Sequence, residues 1–439
     1  MIAWSVIDTW IIIVGVLSAV GCALPGAYLL LRRQSMMGDA ISHSVLPGIA
    51  GAYLIMGNRE PLTLFLGAIV IGIVTTVLIR LVKHGGKIED GAAMGVVFTA
   101  LFALGLVMIR RAADHVDLDP DCVLYGAIEL TFLDTVPFLG MDVPRAALLT
   151  GGMLLANVLF LGLLYKELKL SSFDPGLSDA LGYSSRFLHH LLMVAIAATM
   201  VASFEAVGSI LVIAMLIVPP ACAYLLCNRL LPMLLVSAGF AAASAVLGHL
   251  SAIALPPVLG YEDTSTAGMM ALAAGVLFGG VFFLSPKSGV LAQSWRRVRL
   301  GAQLLSEEVL GVLYRRQEAP GVSARPVLAP EELRRGAQGR TVEWLAGRRL
   351  VRQGYVRPVP GGFELTEPGL HEARRLIRAH RLWETWLVEE MNLRPDHVHG
   401  PASRLESVTG EAMEEELARE TGAPAMDPHA RRIPPAEKH

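Results

Sequence analysis

Residues 32–48 read RRQSMMGDAISHSVLPG, from Arg32-Arg33 to Pro47-Gly48, inside a stretch that is otherwise apolar. The two arginines close one apolar block. The next opens at Gly38-Asp39 and carries His43. An ionisable side chain at membrane depth is expensive, so it normally lines a path or a wet cavity. A four-residue spacing puts Asp39 and His43 on one helix face, one turn apart. A carboxylate oxygen beside an imidazole nitrogen suits a first-row divalent metal such as manganese, zinc or iron. The expected fold is therefore an all-α polytopic membrane bundle, with Asp39 and His43 as candidate metal ligands along a path through it.

Outward from this stretch, the chain divides by solvent. It has 439 residues, of which 53% are hydrophobic and 17% charged. The apolar blocks run up to about Leu284, after which Arg, Glu and His dominate. A span needs roughly 20 apolar residues. Candidates are Trp10–Leu31, Gly38–Met56, Pro61–Val82, Gly91–Ile109, Ala146–Leu164, Phe187–Ser203, Val207–Cys227, Pro232–Ala254 and Met269–Leu284. Eight or nine crossings are expected, because Pro47-Gly48 interrupts the second. A break there would need a wet cavity or neighbouring protein to receive its freed backbone groups. Pro219-Pro220 is expected to bend a later helix. Of the four cysteines, three lie in apolar stretches and read as small buried hydrophobes.

Positive charge sets the orientation. Arg32-Arg33, Lys83 and Lys87, Lys166 with Lys169 and Arg186, Arg229, and Lys287 with Arg296, Arg297 and Arg299 fall on alternate sides of successive spans. Those loops are read as cytoplasmic, which places everything after Leu284 inside a bacterial inner membrane. One of them, YKELKLSSFDPGLSDALGYSSRFLHH, is punctuated by Asp174-Pro175-Gly176 and Gly182 around a short amphipathic stretch. It reads as an interfacial helix or as a docking helix for a partner. The chain has no Gly-x-x-x-x-Gly-Lys-Ser/Thr phosphate loop, so ATP-driven work would need a separate ATPase.

Six blocks in order carry a family resemblance: LRRQSMMGDAISHSVLPGIA, IEDGAAMGVVFTALFALG, VDLDPDCVLYG, SSFDPGLSDALGYSS, VGSILVIAMLIVPPACAYLL and FFLSPKSG. Residues from about 8 to 290 resemble the ABC permeases for manganese, zinc and iron uptake. The resemblance implies paired permease copies, cytoplasmic ATPase subunits and an extracytoplasmic metal-binding protein. It also implies that Asp39 and His43 contribute to the transported metal's site and that the loop with Asp174, Gly176 and Gly182 docks on the ATPase. One Asp–His pair offers too few ligands for a tetrahedral site, whereas two copies about a pore axis would offer four.

The soluble half reads as a winged helix-turn-helix followed by a helical dimerisation domain. SEEVLGVLYRRQE, APEELRRGA and GRTVEWLAGRRLVRQGYV are three helical candidates. In RPVPGGFELTEPG, Pro360-Gly361-Gly362 reads as a tight turn between two strands. The third helix would face DNA through Arg340, Thr341 and Arg348, or the module serves protein–protein contact instead. A long amphipathic helix, LHEARRLIRAHRLWETWLVEEMNL, comes next. With RLESV and DPHARRIP, the tail from about Ser306 to Pro434 resembles the DtxR/MntR-like iron- and manganese-dependent repressors. That resemblance implies dimerisation through the long helix and a metal held between it and the first winged-helix segment. Glu308, His380 and Glu406 occupy ligand-like positions. Gly311, Ser403 and Ser407 stand where the family can use carboxylate or histidine, so the implied ligand set is depleted. His397, His399 and His429 form a second cluster of histidines.

The expected organisation is a permease domain over residues 1–290, a linker over 291–305, a winged helix over 306–370 and a dimerisation domain over 371–439. The expected function is the membrane subunit of an ATP-driven divalent-metal importer with a fused regulator-like tail. The alternative is a membrane-tethered, metal-responsive transcription regulator. An intramembrane metalloenzyme lacks support, because the chain has no His-Glu-x-x-His.

Overall fold

The computed structural model describes residues 4–57, 61–112, 128–138, 140–260, 264–319, 326–329, 331–332 and 339–436. The VDLDPDCVLYG block and most of APEELRRGA lie outside these. The chain divides into two compact units, Met1–Ala292 and Gln293–His439.

The first unit is helical. Helix α1 (Val6–Leu31) starts at a capping box, in which Ser5 Oγ accepts from the Asp8 amide and Asp8 accepts from the Ser5 amide. Helices α2 (Met36–Met56), α3 (Pro61–Gly86) and α4 (Asp90–Ala112) follow. A 3₁₀ turn (Ile128–Leu133) leads into a hairpin of β1 (Thr135–Phe138) and β2 (Met141–Pro144), paired antiparallel. Then come α5 (Arg145–Leu163), the short α6 (Tyr165–Phe173) and α7 (Pro175–Ala180), α8 (Ser185–Leu226), α9 (Leu230–Leu259) and α10 (Thr266–Leu284).

Among the described residues, eight segments are long and apolar enough to cross a membrane: those in α1, α3, α4, α5, α9 and α10, and two in α8. Helix α8 has 42 residues, or about 63 Å at the rise of an α-helix, roughly twice the hydrocarbon thickness. Its path breaks at Gly208 (φ 74°, ψ 164°), a backbone conformation closed to side chains with a Cβ. The expected bend at Pro219-Pro220 is not where the helical angles fail; both prolines sit within helix.

Helix α2 is not among the eight, although it has 21 residues. It need not be as apolar, because it is sheltered by protein. Met37, Ala40, Ile41, Ser42, Ser44, Val45 and Leu46 are all buried. Nor is α2 interrupted at Pro47-Gly48. It continues through Pro47 to a left-handed cap at Gly57. Gly105 of α4 lies so close that a Cβ there would meet the Pro47 ring at 2.7 Å. The proline is held by its neighbour, and packing of this kind lets membrane helices tolerate proline.

Polar clasps join the bundle. Asn157 of α5 donates to the Gly21 carbonyl of α1 (3.0 Å) and to Thr199 Oγ1 of α8 (2.8 Å). Thr75 of α3 donates to Ser44 Oγ of α2 (2.7 Å). Small residues let backbones approach, as in other membrane bundles. A Cβ on Gly38 would lie 2.1 Å from Leu216 Cδ2, so the first turn of α2 seats directly on α8.

The second unit begins along α11 (Val290–Glu318). The stretch 291–305, expected as a linker, is helix. Strand β3 (Val327–Leu328), α12 (Arg340–Arg352), β4 (Val356–Val359) and β5 (Gly362–Leu365) complete a winged helix, with sheet order β3-β5-β4. The turn at Pro360-Gly361 falls between β4 and β5, where it was expected. The core takes Leu305, Val309, Leu310 and Leu313 from α11, Val342, Ala346 and Leu350 from α12, and Ala373 and Leu376 from α13 (Glu367–Glu389). Helix α13 then continues into the tail. There Leu382 packs with Leu417 of α15 (Glu411–Glu420) and Ile433, while Leu387 packs with Val398 and with Ala402 of α14 (His399–Leu405). The long helix thus serves both sub-domains.

Candidate metal centres

Asp39 lies in the first turn of α2, half-buried. The helix is capped earlier, at Ser35, so Asp39 is not its N-cap. A carboxylate there is still favoured by the positive end of the helix dipole. Its backbone carbonyl accepts from Ser42 Oγ (2.8 Å). His43 occupies the next turn of the same helix; its side chain lies outside the described residues.

Arg32, just past the end of α1, reaches α6 and the first turns of α8. Its Nε donates to Ser172 Oγ (3.0 Å), one terminal nitrogen to Ser171 Oγ (2.8 Å) and the other to His189 Nδ1 (3.3 Å). The loop beyond α6 is rigidly built. Asp174 Oδ1 accepts from the Leu177 amide and caps α7. Asp179 accepts from the Ser185 amide and hydroxyl at the start of α8. Gly182 (φ 88°) makes the left-handed turn between them. Gly176 sits in the first turn of α7, and Phe173, Leu177, Leu181 and Tyr183 are exposed around it.

In the second unit, three ligand atoms converge on the C-terminal half of α13. His380 Nε2 lies 3.1 Å from Glu384 Oε1 and 3.0 Å from His399 Nδ1, and the last two are 3.0 Å apart. Two imidazole nitrogens and one carboxylate oxygen this close together could share one divalent first-row metal ion. His429 Nε2 approaches to 3.9 Å from Glu384.

Hydrogen bonding closes this triangle when His380 carries a proton on both ring nitrogens, and a cation can take the place of one of them. His380 Nδ1 meets Glu406 Oε2 at 2.5 Å, so the Nδ1 proton belongs to that contact. In the neutral ring Nε2 then presents a lone pair toward the Glu384 carboxylate, and His399 Nδ1 supplies at most one proton for both. A cation satisfies all three atoms; without one, a second proton on His380 must. Burial opposes that charge, but the hydrogen bonds and charges of Glu384 and Glu406 outweigh it and hold the His380 pKa up at about 9. Burial likewise opposes ionisation of Glu384, yet His380 and His399 bring its pKa down to about 2.

The sequence-derived set is thus rearranged. His380 is in the cluster. Glu406 sits on its other ring nitrogen, the place of a carboxylate that orients a ligating imidazole. Glu308 is exposed on α11 and is not among the converging ligands of the described residues. Glu384 was missed, although its four-residue spacing from His380 repeats the pattern that singled out Asp39 and His43. On α12, Arg340, Thr341 and Arg348 are all exposed, and the Arg348 guanidinium stacks 4.9 Å over the ring of exposed Trp344.

A polytopic apolar bundle, followed by a winged helix and a helical tail in which His380, Glu384 and His399 converge, is the architecture of a membrane protein with a fused, regulator-like domain. The chain belongs to the ABC 3 transport family, which it matches over residues 7–285. Residues 366–435, which include the ligand triangle, match the iron dependent repressor metal binding and dimerisation domain. The manganese transport system membrane protein MntD of Bacillus subtilis is 40% identical over 294 residues, covering 67% of this chain and 97% of that protein. The zinc transport system membrane protein TroD of Treponema pallidum is 41% identical over 281 residues, covering 64% and 75%. Among solved structures, PsaBC from Streptococcus pneumoniae in complex with Fab matches with a TM-score of 0.55 and 30% identity, covering 65% of this chain and 94% of that one.

Proposed function

We propose that the chain is the permease subunit of an ATP-driven importer of a divalent transition metal, manganese first, with zinc and iron of the same ligand chemistry. The observation that carries this reading is α2: a helix sheltered on nearly all sides that keeps an aspartate and a histidine one turn apart. Support for the metal comes from relatives named for manganese and zinc transport.

The metal is substrate, and Asp39 and His43 are its ligands on the way through. Two permease copies, identical or paired, bring two such pairs to one axis. The α6–α7 loop, with Asp174, Gly176 and Gly182 setting its shape, offers Leu177, Leu181 and Tyr183 to a cytoplasmic ATPase. An extracytoplasmic binding protein delivers the ion. Positive charge after alternate spans supports a cytoplasmic second unit. Alternating access follows when the ATPases close and the docking loops move.

The tail holds a cytoplasmic metal ion on His380, Glu384 and His399. A second reading, DNA contact through Arg340, Thr341 and Arg348, is favoured by the exposed arginines of α12 but set against Trp344, which occupies the same face. Uptake of labelled manganese, zinc and iron by the chain reconstituted with its ATPase tests the main reading. Asp39→Ala and His43→Ala are each expected to abolish uptake; undiminished uptake in both would remove the assignment. Salt-dependent binding of the full chain to duplex DNA tests the second.

A further inference from the structure

A flexible tether would let the tail act apart from the permease. The chain has instead a single 29-residue helix, α11, through the point where the two units divide. Both ends of that helix are fastened, and each fastening leads to a metal centre.

At its far end, Glu318 forms a two-pronged pair with Arg381, at 3.0 and 2.6 Å. Arg381 is buried, and it follows the ligand His380 directly along α13. Movement of His380 onto a metal ion is therefore felt by the next side chain, which grips the last turn of α11. At the near end, the turn before α11 is pinned to α8. Ser285 Oγ and Ser288 Oγ both donate to the Leu225 carbonyl, at 3.2 and 2.7 Å. Leu225 belongs to the last turn of α8, whose Leu216 abuts Gly38, the neighbour of Asp39. Helix α11 thus runs without a break in its backbone from the turn beside α8 into the second unit.

We propose that the tail is a product sensor for the importer: divalent metal seated on His380, Glu384 and His399 slows uptake through α11. This rests on the transport reading above. The sign follows from position. The tail faces the compartment into which the ion is released, so a site there reads accumulated product, and activation by product would make uptake self-reinforcing. Linkage requires only that the filled tail favour one state of the transport cycle over another.

The experiment uses the full chain with its ATPase in proteoliposomes, tail facing the lumen, loaded with buffered manganese from none to saturating. Uptake of labelled manganese and ATP hydrolysis are followed together. Tryptophan fluorescence of the detergent-purified complex reports metal binding beside Trp383. Lumenal manganese is expected to reduce initial uptake and ATP hydrolysis about fivefold or more, within the usual range of allosteric coupling. Ser294→Pro, which breaks α11 on its exposed surface, and Glu318→Gln, which removes one prong of the Arg381 pair, are expected to abolish inhibition. Both should retain the fluorescence titration and the rate without lumenal metal, and Ser294→Ala should behave as the parent. Uptake that ignores lumenal manganese, or rises with it, overturns the proposal and leaves the transport reading intact. Inhibition that persists fully in both Ser294→Pro and Glu318→Gln removes the role of α11. A parent complex that takes up no metal under any condition overturns the transport reading and this inference with it.

Discussion

Glu406 and His380 meet through one short contact, 2.5 Å from Oε2 to Nδ1, on the side of the imidazole turned away from the ligand triangle. That contact fixes which nitrogen carries the proton and leaves Nε2 free to ligate. Carboxylates in this position typically matter by about 10- to 100-fold in metal affinity. Glu406→Gln keeps the shape and loses the charge. It is expected to weaken manganese binding to the tail by that factor, read by tryptophan fluorescence titration of the full chain in detergent. An unchanged midpoint would mean that Glu406 does not orient the ring.

Proton and metal compete for the same cluster. Without metal, His380 titrates at about 9 rather than its ordinary 6.5, and Glu384 at about 2 rather than 4.5. The contribution of His380 to stability is therefore complete below pH 6.5 and lost as pH rises through 9. That of Glu384 is complete above pH 4.5 and lost as pH falls toward 2. The chelator-treated protein should be most stable between these limits, with the melting temperature of the second unit falling from pH 6.5 to 9. Manganese replaces the proton on His380, so saturating manganese should flatten the alkaline fall. Parallel alkaline curves with and without manganese would contradict this.

Asn157 is buried in the membrane bundle and binds two helices at once. Interhelical hydrogen bonds in membranes contribute about 0.6 kcal/mol on average and up to about 2 kcal/mol. Asn157→Ala removes both bonds and should cost about 1–2 kcal/mol, seen as a lower unfolding midpoint in mixed detergent micelles. Asn157→Asp, which keeps the acceptor but loses the amide donors, should not restore the midpoint.

The sequence displayed what was chemically costly and hid what was cheap. Asp39 and His43 stood out because charge at membrane depth demands a reason, and α2, which carries them, is largely buried among its neighbours. Pro47 misled, because its ring is packed against Gly105 of α4 and the helix runs on through it. Gly208, which does break the path of α8, is one glycine among 43. The hairpin Thr135–Pro144 has no counterpart among the sequence expectations. In the tail, the winged-helix order was legible from helix periodicity and the Pro360-Gly361-Gly362 turn. The ligand triangle was partly legible: His380 and His399 were each singled out, but in separate sets, because no local pattern fixes how α14 packs on α13.

The contact between Gly38 and Leu216 offers the most direct handle on the membrane pair. A Cβ on Gly38 would lie 2.1 Å from Leu216 Cδ2, and Leu216 is itself buried, so the leucine has little room to retreat. Overpacking of this kind costs about 1–3 kcal/mol. Gly38→Ala, although it favours helix locally, should push the first turn of α2 off α8 and displace Asp39. Metal uptake should fall at least tenfold while the chain still inserts and assembles with its ATPase. Leu216→Ala opens the space the new methyl needs, so the double variant Gly38→Ala/Leu216→Ala should regain most of the lost uptake. If Leu216→Ala fails to rescue, or if Gly38→Ala transports normally, the seating of α2 on α8 is not what positions the pair.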